Sequence, residues 1–523
     1  MSVWRPMAGH TERVIRFVVV AVTILLLVPL AAILVPAAIA AWRQTGAPAA
    51  GWERLGLLTL RSTAIAGGAA TLATFAGAGL AWVLAARPGL WLRFRVLLLL
   101  PLVLPPYLLT LGWVAATDVA ALRWGFQPGL SGILWGIAIL GLAAAPPAAL
   151  VLGTFLRRAP VAPIESALLS LGPAGALRTA IIPLWRRPAG AIWLFVFGQT
   201  LAEYGVPLYL QTPVLATELV SAFTGGEPAG NVLLASWPLA LLLAGTIAAW
   251  SSAAAVEGVS RRAPSQPGKL SWLEPASWPG AWRLVTGIGC LVAVVGLAVP
   301  VVGLALGAFR PGNGGAGILL AALPALRMSV FLAAGCALLA VIPALVLGDL
   351  LTAAPSRLPL VLSALALAIP AGCTGVAHAT FWILTPFAGG ETAIWCGHLA
   401  RILPVAWIVA ALTRGPTGRL PALDAAILLP GSSLDRFLLR LRLELPRVLS
   451  VAGAAFVLSI RELDVSLLTV PPGGETLPLR LFNLMHYGAG ADVCRIGLVL
   501  GGVLWLATHI VAAHAWPIRK EGT

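Results

Sequence analysis

Two pairs of identical residues in this chain have the same sequence separation, and the residues of one pair are charged. Glu203 and Glu462 lie 259 residues apart, and the same separation joins Gly172 to Gly431. Each glutamate stands in strongly apolar sequence, where an unpaired charge is costly. A carboxylate in such a place could take part in a proton or cation relay, or could pair with a base. The shared separation indicates a duplicated unit.

The residues beside these glutamates allow two hypotheses. In the first, Glu203 and Glu462 face each other across a pseudo-two-fold axis near a translocation path, and Arg461 and Asp464 balance their charge. In the second, an ion pair such as Arg461 with Glu203 only fixes an interface. Tyr204 belongs to the same candidate site in either case. The four charged residues should face an interface or a wet cavity, because charge at mid-bilayer costs about 2.5–3.5 kcal/mol.

The composition places the chain in a membrane. It is 59% hydrophobic and 10% charged, with a mean hydropathy of +0.95, whereas an ordinary soluble domain is about 25% charged. Many apolar runs exceed the roughly 18 residues that a spanning helix needs. The sequence therefore predicts an all-α polytopic membrane protein.

The apolar runs predict about twelve spans in two sets of six. The first set lies near 17–41, 59–86, 96–118, 132–156, 189–210 and 231–253. The second lies near 284–308, 328–353, 358–383, 393–413, 448–470 and 493–516. Prolines in the third and ninth spans could kink them.

The division of the spans predicts three regions: a first module at 1–253, a polar linker at 254–283 and a second module at 284–523. An even number of spans brings both modules in from the same side. The modules then run parallel, about an axis along the membrane normal.

The basic residues predict the orientation. With the N-terminus inside, 24 of the 34 lysines and arginines fall in cytoplasmic segments and eight on the opposite side. This bias places both termini in the cytoplasm. The net charge of +15 thus reflects membrane topology and does not indicate a nucleic-acid-binding patch. The lipid bilayer is the expected surrounding.

The sequence offers no catalytic or cofactor motif. The five cysteines stand singly in apolar segments, and the six histidines are dispersed, so we expect no metal site. There is no GxxxxGK[ST] phosphate-binding loop, and no nucleophile elbow or HExxH run. We therefore expect that the chain is no enzyme and carries no cofactor.

Two long cytoplasmic loops, 157–188 and 414–447, occupy the same place in each predicted module. Each contains a short apolar helix with an acid near its start, which suits the helix dipole, and then Gly172 or Gly431, which suits a C-cap with positive φ. Small residues at Ala167, Ala425 and Ala426 allow close approach. These helices are either solvated connectors or docking elements for a cytoplasmic partner.

The loops resemble the "EAA" loops of permease subunits of ATP-binding cassette importers, whose pattern is Glu-Ala-Ala, three residues, Gly, then Ile-x-Leu-Pro. The first copy reads Glu165-Ser166-Ala167, or Ser166-Ala167-Leu168 if shifted by one, and the second reads Asp424-Ala425-Ala426. The separation from glycine to proline is 11 residues in the first copy and 15 in the second. The two docking sites should therefore differ.

Further stretches resemble fused permeases for ferric iron and thiamine. They are Pro101–Tyr107, Ala202–Pro207, Thr212–Glu218, Arg461-Glu462, Pro471–Thr476 and Arg480–Tyr487. The resemblance implies the type I importer permease fold in a bacterial inner membrane. It also implies a dimeric cytoplasmic ATP-binding subunit and an extracytoplasmic solute-binding protein as partners.

The implied cargo is ferric iron, then thiamine or polyamines. Glu218 and Glu475, on the outer side, could contact the binding protein or be merely solvated. The alternative function is an ion- or proton-coupled secondary transporter or channel that needs no ATPase. In that case the acids at 203 and 462 would form the relay.

Overall fold

The computed structural model describes residues 8–43, 51–94, 96–125, 129–157, 159, 161–255, 278–310, 315–353, 366, 369–386, 391–413, 433–486 and 490–515. All regular structure in these ranges is helical. The first part contains α1 (Ala8–Arg43), α2 (Trp52–Ala85), α3 (Pro88–Phe94), α4 (Leu100–Val103), α5 (Pro106–Trp124), α6 (Ile133–Arg157), α7 (Val161–Ala176), α8 (Ile182–Leu201), α9 (Gly205–Tyr209), α10 (Leu215–Thr224), α11 (Ala229–Ala235) and α12 (Trp237–Ala255).

The second part begins with the two longest helices after the linker region. It contains α13 (Gly280–Ala308), α14 (Gly315–Ala353), α15 (Ala371–Ile383), α16 (Thr392–Leu412), α17 (Ser433–Ile460), α18 (Asp464–Thr469), α19 (Leu477–Met485) and α20 (Ala491–Ala515). Most of the predicted linker, residues 256–277, lies outside the described residues.

The protein is an all-α, multi-pass membrane protein by the length and composition of its helices. Within the described ranges, eight helical segments are long and apolar enough to span a membrane. The pair α11 and α12, bent by 49°, adds a ninth. The number twelve and the division into two modules stay predictions.

The third predicted span, 96–118, is broken by its prolines. Helix α4 ends at Val103, Leu104 and Pro105 are extended, and α5 starts at Pro106. The residue before a proline is disfavoured in the helical region, and two consecutive prolines impose this on both positions. The expected kink is thus confirmed for this span. In the ninth, α15 follows an extended Pro370, and most of 354–368 lies outside the described residues.

The first helix of each half packs against the other half. Helix α1 contacts α14, α15 and α16, whereas α13 contacts α2, α5 and α6. The contact of α1 is apolar, with Val18, Val22 and Leu26 in the same core cluster as Leu332 and Trp407. This reciprocal exchange ties the two halves of the chain together through large buried surfaces, which favour association.

Corresponding hydrogen bonds align the second predicted spans of the two sets. The Ser62 hydroxyl of α2 accepts a hydrogen bond from the Leu215 N–H at 3.0 Å. The Ser329 hydroxyl of α14 accepts one from the Leu477 N–H at 2.7 Å. In both cases the donor is the first residue of a short helix, α10 or α19. Position 62 therefore corresponds to position 329.

Glycine allows α2 and α13 to approach backbone to backbone. A Cβ at Gly79 would lie 2.6 Å from the Thr286 carbonyl oxygen and 2.7 Å from the Cys290 nitrogen. No side chain fits there unless α13 moves. Gly67, on the same helix, has no atom within 4 Å of its Cβ position.

We expect Gly79→Val to destabilise the protein by about 1–3 kcal/mol, because the added atoms would push α13 off α2. Thermal unfolding of the purified protein in detergent measures this loss. Gly67→Val is the matched control, since it makes the same change on the same helix in open space. Equal melting temperatures for the two variants would contradict the close approach of α2 and α13.

Candidate functional site

Both glutamates lie at a break between two helices. Helix α8 ends at Leu201 and α9 starts at Gly205, so Glu203 falls in the break. Helix α17 ends at Ile460 and α18 starts at Asp464, which places Glu462 in an equivalent break. The fifth and eleventh spans, predicted as continuous over 189–210 and 448–470, are therefore corrected: each helix stops well before the predicted end.

The two breaks have the same backbone conformation. Tyr204 has φ −107° and ψ −45°, and Leu463, which is 259 residues later, has φ −103° and ψ −47°. The amide of each glutamate donates to a carbonyl three residues earlier, at 3.2 Å for Glu203 and 3.1 Å for Glu462. The duplicated sequence thus produces a duplicated turn.

Each glutamate carboxylate caps the short helix that follows it. Glu203 Oε1 accepts the N–H of Val206 at 3.3 Å, and Glu462 Oε1 accepts the N–H of Val465 at 3.3 Å. The first N–H groups of a helix have no partner within it, and a negative charge there is also stabilised by the helix dipole. The glutamates are therefore structural parts of the breaks.

The two breaks lie in one electrostatic cluster around Tyr107. The Tyr107 hydroxyl interacts electrostatically with Glu203, Arg461, Glu462 and Asp464. Tyr107 is only 2% exposed, and its hydroxyl has no hydrogen-bond partner within the described ranges. The four charged side chains are themselves half-buried. A cluster of charge contributed by both halves thus surrounds one buried phenol.

Arg461 interacts electrostatically with both glutamates. It lies within electrostatic range of Glu203 and Glu462 as well as Asp464. Charge of this kind inside a membrane is retained where it is paired or solvated. The cluster brings together all the predicted site residues of this region, including Tyr204, whose ring lies 6.1 Å from that of Phe482.

A buried histidine joins the two sides of the second break. His398 of α16 is 1% exposed, and its ring contacts the hydroxyls of Ser459 at 3.0 Å and Ser466 at 2.9 Å. Ser459 precedes the break and Ser466 follows it, so the histidine clamps both ends. Arg401, one helical turn away on the same helix, donates a hydrogen bond to the Ile369 carbonyl oxygen at 3.1 Å. It also interacts electrostatically with Asp464.

Sequence reasoning did not assign Tyr107, His398 and Arg401 to the site. Their signals were present: Tyr107 directly follows a double proline, and His398 and Arg401 are polar residues three apart in an apolar span. Such residues share one helix face, yet nothing local indicates which neighbour they meet.

The first proposed docking helix is present and ends as expected. Helix α7 is interrupted at Gly172, which has φ 68° and ψ 177°, so the prediction of a positive φ at this glycine is confirmed. Pro173 follows and a π-helical turn at Leu177–Ile181 leads into α8. The loop predicted at 157–188 is therefore mostly helical, and helix α8 begins at Ile182.

Helix α7 has buried and exposed apolar residues, and Ile164 is buried near its start. Ile164 is 1% exposed, whereas Leu169 is 90% exposed and Leu171 is 56% exposed. Glu165 and Ser166 are exposed and Ala167 is half-buried. The second copy, with Asp424, Ala425, Ala426 and Gly431, lies outside the described residues.

The two outer acids have intramolecular partners. Glu218 accepts two hydrogen bonds from Arg54, at 2.7 and 2.9 Å, and Glu475 accepts one from Arg480 at 2.9 Å. Neither acid is merely solvated. A contact of either with a binding protein stays a prediction.

Within the described ranges, no group of three or more histidine, cysteine, aspartate or glutamate side chains is placed to hold a metal ion.

The chain matches no protein-family model, no curated protein and no solved structure.

We expect His398→Ala to lower stability by about 1–3 kcal/mol, because Ser459 and Ser466 lose a buried hydrogen-bond partner. A double-mutant cycle with Ser466→Ala, read by thermal unfolding, should give a coupling energy of about 0.5–3 kcal/mol. His509→Ala is the control, since His509 is exposed and stacks on Trp505. Additive effects of the His398 and Ser466 changes would contradict the clamp.

Proposed function

We propose that this protein is the membrane-spanning permease of an ATP-driven importer and forms the translocation path for a small solute. The observation that carries the proposal is the charged cluster at two matched helix breaks, Glu203 with Tyr204 and Arg461 with Glu462 and Asp464. Irregular backbone within a membrane protein is tolerated where it is buried in protein or lines a cavity. In transporters, substrate sites are built at such discontinuous helices.

Duplication supports a two-fold arrangement of the path. The breaks share their backbone conformation and capping, and α1 and α13 exchange places between the halves. On this proposal, residues 1–253 and 284–523 form two parallel modules of six spans each, joined by the linker at 254–283. Both termini are cytoplasmic, as the basic residues predict, and the membrane is the bacterial inner membrane.

Helix α7 supports an external source of energy. Its leucines Leu169 and Leu171 are exposed on a helix that is anchored by Ile164. An amphipathic helix of this kind fits a groove on a partner. Because the sequence has no phosphate-binding loop, the partner is a separate, dimeric ATP-binding subunit. It contacts Glu165 to Gly172 in the first half and Asp424 to Gly431 in the second.

Movement of the halves would change the cluster. If closure of the ATPase draws the two docking helices together, the modules tilt and alternately expose the path. Arg461 and Glu203 come from different modules, so their separation follows this motion. An extracytoplasmic binding protein delivers the cargo, which by resemblance is ferric iron, then thiamine or polyamines.

The identification of the cargo calls for a separate experiment. The binding protein that stimulates ATP hydrolysis by the reconstituted complex would be isolated, and its ligand identified by mass spectrometry. If the ligand is ferric iron, the first choice of cargo is supported. If the ligand is an organic cation, that cation replaces ferric iron as the proposed cargo.

We expect Leu169→Asp to uncouple the ATPase, because a charge in the apolar contact would be desolvated on docking. Co-purification of the ATP-binding subunit and stimulated ATP hydrolysis in proteoliposomes measure this effect, with a loss of roughly tenfold or more. Leu122→Asp makes the same change at another exposed leucine, 80% accessible at the end of α5, and should leave coupling intact.

The same experiment tests the alternative function. If no cytoplasmic ATPase binds the wild-type protein, and uptake collapses when the proton gradient is removed, the protein is a secondary transporter or channel.

We expect Glu203→Gln and Glu462→Gln each to slow transport by roughly tenfold or more, since each change removes a negative charge that Arg461 balances in the cluster. The glutamine oxygen can still cap Val206 or Val465, so stability should change little. Uptake into proteoliposomes and thermal unfolding are measured together. Normal transport with normal ATPase coupling in both variants would rule out the path role, and a large loss of stability would favour a structural ion pair.

A further inference from the structure

An open apolar groove lies on the second half of the molecule. Its volume is about 650 Å³, and it is bounded by α14, α17 and α20. Every residue that lines it is apolar, with Leu338 on α14 and Ala452 and Phe456 on α17. A surface of this kind is stable where the surroundings are also apolar.

The equivalent place in the first half is filled. Position 452 corresponds to Trp193 by the separation of 259 residues, and the alignment of Ser62 with Ser329 pairs Thr71 with Leu338. The Trp193 Nε1–H donates to the Thr71 hydroxyl oxygen at 3.0 Å. The indole also stacks on Phe197, with ring centroids 5.1 Å apart.

The second half has lost both members of this pair. Alanine at 452 is too small to fill the space of an indole, and leucine at 338 offers no acceptor. Phe456, which corresponds to Phe197, is retained and lines the groove. The absence of an indole at position 452 therefore accounts for part of the groove.

The groove lies at membrane depth. It borders the candidate spans Gly317–Gly348 and Ala491–Ile510. Lipid hydrocarbon surrounds such helices, so an acyl chain can enter without crossing water.

A basic segment adjoins one end of the groove. Residues 433–447 of α17 directly precede the lining residues Val448 and Leu449 and contain four arginines against two acids. Arg442 is exposed. Basic segments beside membrane helices attract anionic headgroups.

We propose that this groove binds one acyl chain of an anionic phospholipid, whose headgroup contacts the basic segment at Arg442. The location in the cytoplasmic leaflet rests on the topology of the proposed function. The binding itself rests only on the shape, the apolar lining and the adjacent charge. In the first half, Trp193 occupies part of the corresponding space, so less room remains there for the same lipid.

The test exchanges the filling residues between the halves. The full-length protein is reconstituted in nanodiscs of phosphatidylglycerol and phosphatidylethanolamine, released in the gas phase, and the retained lipids are counted by native mass spectrometry. Ala452→Trp with Leu338→Thr should remove one tightly retained phosphatidylglycerol. Trp193→Ala with Thr71→Leu should open the first half and add one.

The charge is tested separately. Arg442→Gln should reduce the preference for phosphatidylglycerol over phosphatidylethanolamine by about fivefold, since one basic residue contributes about 1 kcal/mol near an anionic surface. Unchanged lipid number in the filled variant, unchanged preference in Arg442→Gln, or retention of a polypeptide in place of lipid would each overturn the proposal.

Folding and transport are kept apart from this result. Thermal unfolding checks each variant, and Ala452→Leu, a smaller filling change, replaces the double variant if that one does not fold. Lipid retention is measured without ATPase, binding protein or cargo. If the permease proposal is wrong, the lipid count can therefore still be interpreted. If the groove does not bind lipid, the conclusions about transport are unaffected.

Discussion

A backbone N–H that loses its helical partner in the buried interior of a helical bundle must find another, because an unpaired buried N–H is costly. In this protein the glutamates meet that constraint. Where α8 and α17 stop, Glu203 and Glu462 each accept the N–H of the residue three positions on, Val206 or Val465. Without these carboxylates the breaks would expose uncapped helix starts. The two short helices that follow depend on them.

Capping with a carboxylate brings negative charge into an apolar bundle, and this charge needs a partner. Arg461, from the second break, lies within electrostatic range of both glutamates. Tyr107, from a helix that begins at a double proline, packs among them with its hydroxyl buried. The cluster is therefore shared between the halves. Its charge balance depends on how the halves sit together, which links it to any motion between them.

The two halves have matching helix breaks but different side chains around them. His398 clamps the second break between Ser459 and Ser466, while Trp193 fills a groove of the first half that Ala452 leaves open in the second. The two matched helix breaks therefore have different side-chain surroundings.

The sequence by itself determined the membrane class, most helices and the correspondence of 203 with 462. Long apolar runs form helices in lipid, and a glycine such as Gly172 after an apolar helix favours a positive φ. Hydropathy could not locate the breaks after Leu201 and Ile460, because an apolar run reads the same whether its backbone is helical or turned. Only the tertiary structure brought Tyr107, His398 and Arg401 to the charged residues. Their contacts join helices far apart in the chain, and such contacts depend on packing that no local pattern encodes.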